Sequence, residues 1–327
     1  MKKIVAIISF FVLTVHAQHS WEDSPYFDTS FLSKYDLVKT RLIEQDDFKS
    51  VTFQSADGIA LDGIFLERKN SVGTIIFCAG FFPGRKEGQA PIFKMLPPNY
   101  NILFFDARGH AKSDGKFWRT LNKYGKNEYK DVLGAIEFVH KKVGGKIVVY
   151  GICAGAFHAS HALIKLSQEK KLDHYGIVGM IFDSGFASPQ NVSRALQYHI
   201  KEKCLPKKLG WYANKKKIKK TFLYRITSFF VSGLACTLKK ILIMPGIKSI
   251  EPETNLFDKI QNITCPIFFI HCEDDGYVSF HEIEKLANQA QCKTCWWISE
   301  SSHALHALKH KYEYRKRLIY FLEKHLQ

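Results

Sequence analysis

A cysteine stands in a setting typical of a catalytic nucleophile. Residues 146–150 have the apolar pattern of a buried strand, residues 151–155 read Gly-Ile-Cys-Ala-Gly, and a helical pattern follows. Small residues at both ends of a tight turn tolerate a strained central residue, whose side chain then points out of the sheet. The start of a helix also favours a sulfur anion, because its partial positive charge stabilises negative groups. The pattern therefore predicts that Cys153 acts as a nucleophile.

An acidic partner is expected later in the chain, since strand–turn–helix nucleophiles of this kind are followed by an acid and then a histidine. Residues 266–271 read as a strand, and Asp275 lies in the loop at its carboxyl end. Asp275 is therefore the predicted acid. Its neighbour Asp274 is a close competitor, and Asp183, after the sixth predicted strand, is a distant one.

The general base is predicted to be His303. It is the first histidine after the strand predicted at residues 295–299, where a loop can reach back over the nucleophile. A thiol of ordinary pKa is only a few per cent ionised near neutrality, so a base is needed to take the proton of Cys153. Asp275 would hold the imidazole in the required tautomer. His306 and His310 fall on the next predicted helix, where they are expected to face solvent or pack structurally.

Two backbone N–H groups are expected to stabilise the oxyanion of a tetrahedral intermediate. One belongs to Ala154, directly after the nucleophile, and the other to Phe81 in the loop after the third predicted strand. Gly80 would let that loop approach a substrate closely. Each donor of this kind contributes about 3–4 kcal/mol to lowering the barrier.

The elements around these residues form an alternating pattern. Of the 327 residues, 46% are apolar and 14% aromatic, which is typical of a globular protein with a sizeable core. Short apolar runs alternate with helical periodicity, and this predicts a parallel sheet with crossover helices, opened by an antiparallel pair. The predicted strands are 51–53, 61–66, 74–78, 102–105, 147–150, 177–182, 267–270 and 296–298, and the predicted helices are 128–142, 154–168, 280–290 and 304–325.

Residues 188–255 interrupt the alternation and are predicted to form an inserted helical cap. Between Arg194 and Lys248 there are fourteen Lys or Arg residues and one acid, Glu202, within a chain of formal charge +16. Such a segment favours an anionic membrane surface or envelope polymer, and no nucleic-acid partner is expected. The alternative is a solvated basic face above an ordinary cap core.

The first seventeen residues have the layout of a secretory signal peptide. Met1-Lys2-Lys3 is followed by the uncharged apolar residues 4–15, and Ala17 precedes a plausible cleavage point. The run is shorter than the ~20 apolar residues that span a bilayer, although a retained anchor stays an alternative. We therefore expect residues 18–327 to form one secreted or periplasmic domain.

Export to an oxidising compartment would favour disulfides among the eight cysteines. Cys204 and Cys236 could link the cap, while Cys265 and Cys292 lie near the starts of neighbouring predicted strands. Cys78 ends the strand expected beside that of Cys153, so a disulfide between these two would silence the site.

The spacing of Cys292 and Cys295 resembles a redox or zinc motif, but the strand and helix start of a redox site and the second pair of a zinc site are missing. Structural disulfides are therefore favoured. No metal and no cofactor is predicted.

Four features together resemble the α/β-hydrolase superfamily, in its serine-aminopeptidase and monoacylglycerol-lipase-like branch. They are Asp57-Gly58, the loop at residues 105–115, the elbow at 151–155, and residues 270–278 with His303. The resemblance implies an α/β-hydrolase fold, a mostly parallel eight-stranded sheet with helices on both faces and a helical cap inserted after the sixth strand. It also implies that Asp106, Arg108 and His110, in a D-x-R-G-x-G-x-S-like loop, are structural.

Two departures from the family pattern bear on activity. Ala79-Gly80 stands where the family usually has His-Gly, and Cys153 stands where it usually has serine. The cysteine is similar to that of dienelactone hydrolases, which use a Cys-Asp-His triad. The resemblance thus implies hydrolysis of carboxylic esters or thioesters, with an apolar acyl group in a small or lipid-like substrate, through an acyl-enzyme. The alternatives are a catalytically degenerate, surface-binding protein and a peptidase.

Overall fold

A computed structural model describes residues 48–80, 92, 95–115, 126–191 and 255–326. The predicted signal peptide, and the predicted cap apart from residues 188–191 and 255, lie outside the described residues. Within the described parts, none of the helices is both long and apolar enough to cross a membrane.

Eight strands form a single sheet in the order β1-β2-β4-β3-β5-β6-β7-β8. β1 and β2 are antiparallel, β2 is antiparallel to β4, and every other neighbouring pair is parallel. This confirms the predicted mostly parallel eight-stranded sheet. The strands are β1 (Lys49–Gln54), β2 (Ala60–Leu66), β3 (Thr74–Cys78), β4 (Asn101–Phe105), β5 (Ile147–Ile152), β6 (Ile177–Asp183), β7 (Ile267–Cys272) and β8 (Lys293–Ile298).

The described helices follow the predicted positions except at the end of the chain. Those with both ends in the described residues are α1 (Tyr129–Lys142), α2 (Ala154–Gln168), α3 (Phe280–Gln289), α4 (His306–Lys309) and α5 (Lys311–Leu326), with a short 3-10 helix at Ile260–Asn262. The prediction of one helix over 304–325 is wrong, because His310 (φ −117°, ψ 44°) leaves the helical conformation and ends α4. The separate α4 lets the buried ring of His306 turn into the protein interior.

Helices cover both faces of the sheet. Successive side chains of a strand point to opposite faces, and in β8 Trp297 packs edge-on against Phe280 of α3 while Trp296 packs against Tyr314 of α5. On the α5 side, Phe321 also stacks on Phe268 of β7. The sheet is therefore the middle layer, and its core strands are buried on both sides.

The two ends of the predicted cap segment meet beside the sheet. The backbone N–H of Leu256 donates to the carbonyl of Ala187 at 3.0 Å. Glu282 of α3 accepts hydrogen bonds from the backbone N–H groups of Ala187 and Ser188 and from the side chain of Asn191. Both ends of the predicted cap segment are thus fixed beside α3.

The loop after β4 is held by an ion-pair cluster around the buried side chain of Arg108. The guanidinium of Arg108 lies 2.7 Å from both Asp57 and Asp131, and the backbone N–H of Arg108 also donates to Asp131. Ser113 bridges the same loop to β2, donating to the carbonyl of Asp106 and accepting the N–H of Asp62. These contacts support the expectation that the loop is structural.

Candidate active site

Cys153 occupies a sharp turn between β5 and α2. Its backbone has φ 52° and ψ −116°, a left-handed conformation that a non-glycine residue adopts only under constraint. The constraint includes a hydrogen bond from its N–H to the carbonyl of Asp183 at 2.8 Å, and its own carbonyl accepts the N–H of Ala156 at 3.1 Å. The sulfur is partly exposed and lies at the N-terminus of a fifteen-residue helix. The Ala154 N–H is at the same helix start, whereas Phe81 lies outside the described residues.

The two glycines of the turn are required by close packing. A Cβ on Gly151 would lie 2.4 Å from the Cα of Ala156, and a Cβ on Gly155 would lie 2.0 Å from the carbonyl oxygen of Cys78. Both contacts are with main-chain atoms, so no side-chain rotation could relieve them. Glycine at both ends lets α2 begin directly against β3 and β5.

Asp275 is held in a fixed orientation by its own loop. Its side chain is inaccessible to solvent, and Oδ1 accepts the backbone N–H groups of Tyr277 at 2.8 Å and Val278 at 3.0 Å. Burial acts to raise its pKa, but the charge of His303 and the hydrogen bond to that ring bring it below its ordinary value. Asp275 is therefore a carboxylate at neutral pH. The competitor Asp274 is exposed.

His303 lies between the acid and the cysteine. Its Nδ1 is 2.7 Å from Oδ2 of Asp275, and the side chain of Cys153 is close enough to the ring to interact with it. Burial acts to lower its pKa, but the neighbouring Cys153 side chain, together with the charge and hydrogen bond of Asp275, raises it well above the ordinary value. The raised pKa favours an imidazolium at His303, directly beside the sulfur of Cys153.

His271 of β7 supports the acid loop from below. Its Nε2 lies 3.2 Å from the carbonyl of Val278 and 3.8 Å from Asp275. Burial lowers the pKa of His271, although Asp275 and the Val278 contact act in the opposite direction. A neutral ring that donates to Val278 fixes the residue whose N–H in turn binds Asp275.

A second polar cluster lies beneath the loop that carries His303. The sequence alone does not predict that its residues come together. Asp183 at the end of β6 accepts a hydrogen bond from Ser184 at 2.8 Å and another from Tyr314 at 2.5 Å. Tyr150 also donates to Asp183 and makes a short contact with the hydroxyl of Tyr314. Burial, only partly opposed by Ser184 and His303, raises the pKa of Asp183 to about 7.

His306 completes this cluster and is fully buried. Its Nε2 lies 2.8 Å from the hydroxyl of Ser184 and 3.7 Å from Asp183, and its Nδ1 lies 2.9 Å from the hydroxyl of Ser301. Burial lowers the pKa of His306 to about 3. The side chain of Asp183 contacts Ser184, His306 and the two tyrosines, whereas the acid bound to His303 is Asp275. His306 packs structurally, as expected.

The cysteines depart from the expected disulfides. Cys78, Cys153, Cys265, Cys272, Cys292 and Cys295 are all free thiols, while Cys204 and Cys236 lie outside the described residues. The structural disulfide expected to involve Cys265 and Cys292 is therefore wrong. The Cys78–Cys153 disulfide is also not formed, although Cys78 does pair in register with Gly151. Cys153 lies beside His303 and Cys78 is buried in the core, so the two sulfurs lie in different surroundings.

In the parts of the chain that the structure describes, no three His, Cys, Asp or Glu side chains are grouped so that they could hold a metal ion. The chemistry available at the site is that of a thiol, an imidazole and a carboxylate.

This strand order, with a nucleophile elbow after β5, a buried acid after β7 and a histidine after β8, defines the α/β-hydrolase class of enzymes. The profile of the family described as serine aminopeptidase, S33, matches residues 69–308. The chain belongs to this family, which confirms the predicted superfamily.

Individual known proteins are also similar to this chain, at low sequence identity. The uncharacterized protein YqkD of Bacillus subtilis (strain 168) is 24% identical over 284 residues, covering 86% of this chain and 81% of YqkD. The esterase Pf2001 of Pyrococcus furiosus is 18% identical with a TM-score of 0.65, covering 88% of this chain and 94% of the esterase. A proline iminopeptidase of Mycobacterium smegmatis is 14% identical with a TM-score of 0.56, covering 85% and 99%. At these identities the structural likeness concerns the fold.

Proposed function

We propose that this α/β-hydrolase cleaves carboxylic esters or thioesters through an acyl-enzyme formed on Cys153, with His303 as general acid and base and Asp275 as its partner. The observation that carries the proposal is the position of His303, which is hydrogen-bonded to Asp275 at 2.7 Å and has the side chain of Cys153 beside the same ring. A thiol, an imidazole and a buried carboxylate in this order form a nucleophile, a base and an orienting group.

The first half-reaction begins with attack of the Cys153 sulfur on the acyl carbon. Because Nδ1 of His303 faces Asp275, the proton shared with Cys153 is carried by Nε2. The negative oxygen of the intermediate would be bound by the N–H groups of Ala154 and Phe81. When the intermediate collapses, the bond to the leaving alcohol or thiol breaks, and the Nε2 proton is transferred to that leaving group.

The second half-reaction releases the acid. Neutral His303 takes a proton from water, the resulting hydroxide attacks the thioester carbon, and the Cys153 sulfur leaves as a thiolate. The Nε2 proton then again lies beside that thiolate. Asp275 stabilises the imidazolium in both halves, since its charge and hydrogen bond favour the protonated ring.

Esters and thioesters fit this site better than amides. A thiolate is a good leaving group, so an intermediate with an amine expels the sulfur more readily than the amine. The similar Pf2001 protein is named an esterase, which is consistent with this substrate class. The proline iminopeptidase among the structural neighbours makes peptide cleavage the second activity to test.

The test compares p-nitrophenyl butyrate, a butyryl thioester and an aminoacyl nitroanilide. Wild type should release nitrophenolate and free thiol, and Cys153→Ala should abolish both. Cys295→Ala removes a partly exposed thiol on β8 and serves as the matched control with unchanged rates. Equal turnover in Cys153→Ala would overturn the proposal, and anilide cleavage that is lost in His303→Gln would favour a peptidase.

We also propose export through residues 1–17 and binding of an anionic membrane through the basic segment 194–248. Both proposals rest on the charge and hydropathy of the sequence. Co-sedimentation with vesicles containing anionic lipid tests the second one. Binding that is indifferent to salt would contradict an electrostatic interaction.

A further inference from the structure

Ser184 lies directly after β6, under the loop that carries His303. Its hydroxyl is fully buried and makes three polar contacts. It accepts the backbone N–H of Ala304 at 3.1 Å, donates to Oδ1 of Asp183 at 2.8 Å, and lies 2.8 Å from Nε2 of His306.

These contacts use the whole hydrogen-bonding capacity of a serine hydroxyl, which has one proton and two lone pairs. Because the proton of Ser184 is donated to Asp183, Nε2 of the neutral His306 ring must donate to Ser184, and Nδ1 is then left to accept the proton of Ser301. The proton of Ser184 is directed to Asp183, and its second lone pair binds the N–H of Ala304. The hydroxyl is therefore fixed in direction as well as in place.

The backbone around this hydroxyl is strained on both sides of the contact. Ser184 has φ 52° and Ala304 has φ 56°, values that favour glycine. A glycine would relieve the strain at residue 184 but would remove the group that holds Ala304. The residue held in this way is the direct neighbour of His303.

Asp183, the residue before Ser184, holds the backbone of Cys153. The carbonyl of Asp183 accepts the N–H of Cys153 at 2.8 Å, while the side chain of Ser184 binds the N–H of Ala304 at 3.1 Å. Two consecutive residues at the end of β6 thus hold the backbones of both the proposed nucleophile and the residue after the proposed base.

We propose that Ser184 is a positioning residue that sets the location of His303 relative to Cys153. The inference rests on the proposed function for its catalytic consequence, but the geometric effect concerns the Cys153–His303 pair itself. Ser184 does not touch the reacting atoms and acts through Ala304. The titratable groups that surround the pair and this hydroxyl are Asp183, His271, Asp275, His306, Tyr150 and Tyr314.

The experiment uses Ser184→Ala and Ser184→Gly in the full chain. Ser184→Gly removes the hydroxyl while easing the positive φ, so it keeps the test valid if the alanine variant folds poorly. Ser160→Ala is the matched control, because Ser160 is equally buried but donates to the carbonyl of Ala156 within α2. Iodoacetamide alkylation of Cys153, followed from pH 5 to 9 by peptide mapping, reports the ionisation of the Cys153–His303 pair without any substrate.

Both Ser184 variants should alkylate about tenfold more slowly than wild type near pH 6.5, with the rate recovering at alkaline pH. With p-nitrophenyl butyrate, kcat should fall about 10- to 100-fold and KM should stay near the wild-type value. Ser160→Ala should match wild type in both assays.

Alkylation profiles that coincide for wild type and Ser184→Gly overturn the positioning role, whatever the turnover. A wild type that hydrolyses no ester, with the alkylation shift still present in the Ser184 variants, contradicts the proposed function and leaves the positioning role supported. A rise in KM with unchanged kcat would also contradict the positioning role.

Discussion

The carboxylate of Asp275 lies 2.7 Å from Nδ1 of His303, and it is fully shielded from solvent while the histidine side chain is 16% exposed. Backbone N–H groups hold the other carboxylate oxygen, so the negative charge is fixed on the side of His303 away from Cys153. This relationship fixes the orientation of the imidazole ring and the role of each of its two nitrogens. One nitrogen is committed to the acid, and the other is available to the sulfur and to a substrate.

Asp275→Asn tests the contact between the carboxylate and Nδ1 of His303. The amide keeps the size of the side chain but removes the charge and can stabilise the wrong tautomer of His303, so ester turnover should fall about 10³- to 10⁴-fold. The measurement is kcat/KM with p-nitrophenyl butyrate. Asp274→Asn, one residue earlier and exposed, should keep the wild-type rate. Equal losses in the two variants would contradict the assignment of the acid.

Asp183 should make stability depend on pH. Its pKa is about 7 in the fold because burial raises it, whereas an unfolded aspartate titrates near 3.9. Between these values the folded protein binds the extra proton, so the Asp183 contribution to the free energy of unfolding falls as pH rises from about 4 to about 7, then levels off.

Urea unfolding of wild type and Asp183→Asn at pH 5 and pH 8 measures this effect. The neutral asparagine should lose less stability than wild type between the two pH values. A pH dependence that is the same in both proteins would show that Asp183 does not titrate in this range.

Gly155→Ala should destabilise the elbow through its main-chain contact. The added Cβ would lie 2.0 Å from the carbonyl oxygen of Cys78, and such overpacking costs about 1–3 kcal/mol or more. Gly145→Ala is the comparison, because its Cβ meets nothing within 4 Å and its cost of about 1 kcal/mol comes from a φ of 76°. Chemical denaturation should rank Gly155→Ala as the less stable variant, and the reverse order would contradict the packing described for α2.

Arg108→Met should lower the free energy of unfolding by about 3–5 kcal/mol, since it leaves the buried charge of Asp131 without its partner. Arg317→Met removes a pair with Glu313 in which both side chains are about 40% exposed, and should change stability by about 1 kcal/mol or less. Denaturant titration of both variants checks the contrast. Similar small effects would mean that the loop after β4 is not held by its ion pairs.

Much of this architecture follows from local sequence patterns. Continuous apolar runs identify buried parallel strands, and the glycines around Cys153 identify the turn between β5 and α2. Chain order then points to Asp275 and His303, because an acid and a histidine in this class follow the seventh and eighth strands. These features can be predicted since each depends on residues close together in the chain.

The supporting cluster has no such local signal. Ser184, His306 and Tyr314 are brought together only when β6, α4 and α5 pack around the end of the sheet. The end of α4 at His310 also has no local signal, because the sequence shows a continuous helical pattern there. The burial of His306 in α4 depends on Ser184, which lies more than a hundred residues earlier. The free thiols could not be inferred from compartment and count, since pairing depends on the distance and direction of each side chain.

The most direct test of the central claim is to trap the acyl group. Wild type and Cys153→Ala are mixed with p-nitrophenyl butyrate, quenched in acid within the first turnover, and digested for peptide mass mapping. The account predicts one butyryl group on the peptide that contains Cys153, removable by hydroxylamine and missing in the variant. Turnover with Cys153 unmodified, or with the acyl group on another residue, would contradict it.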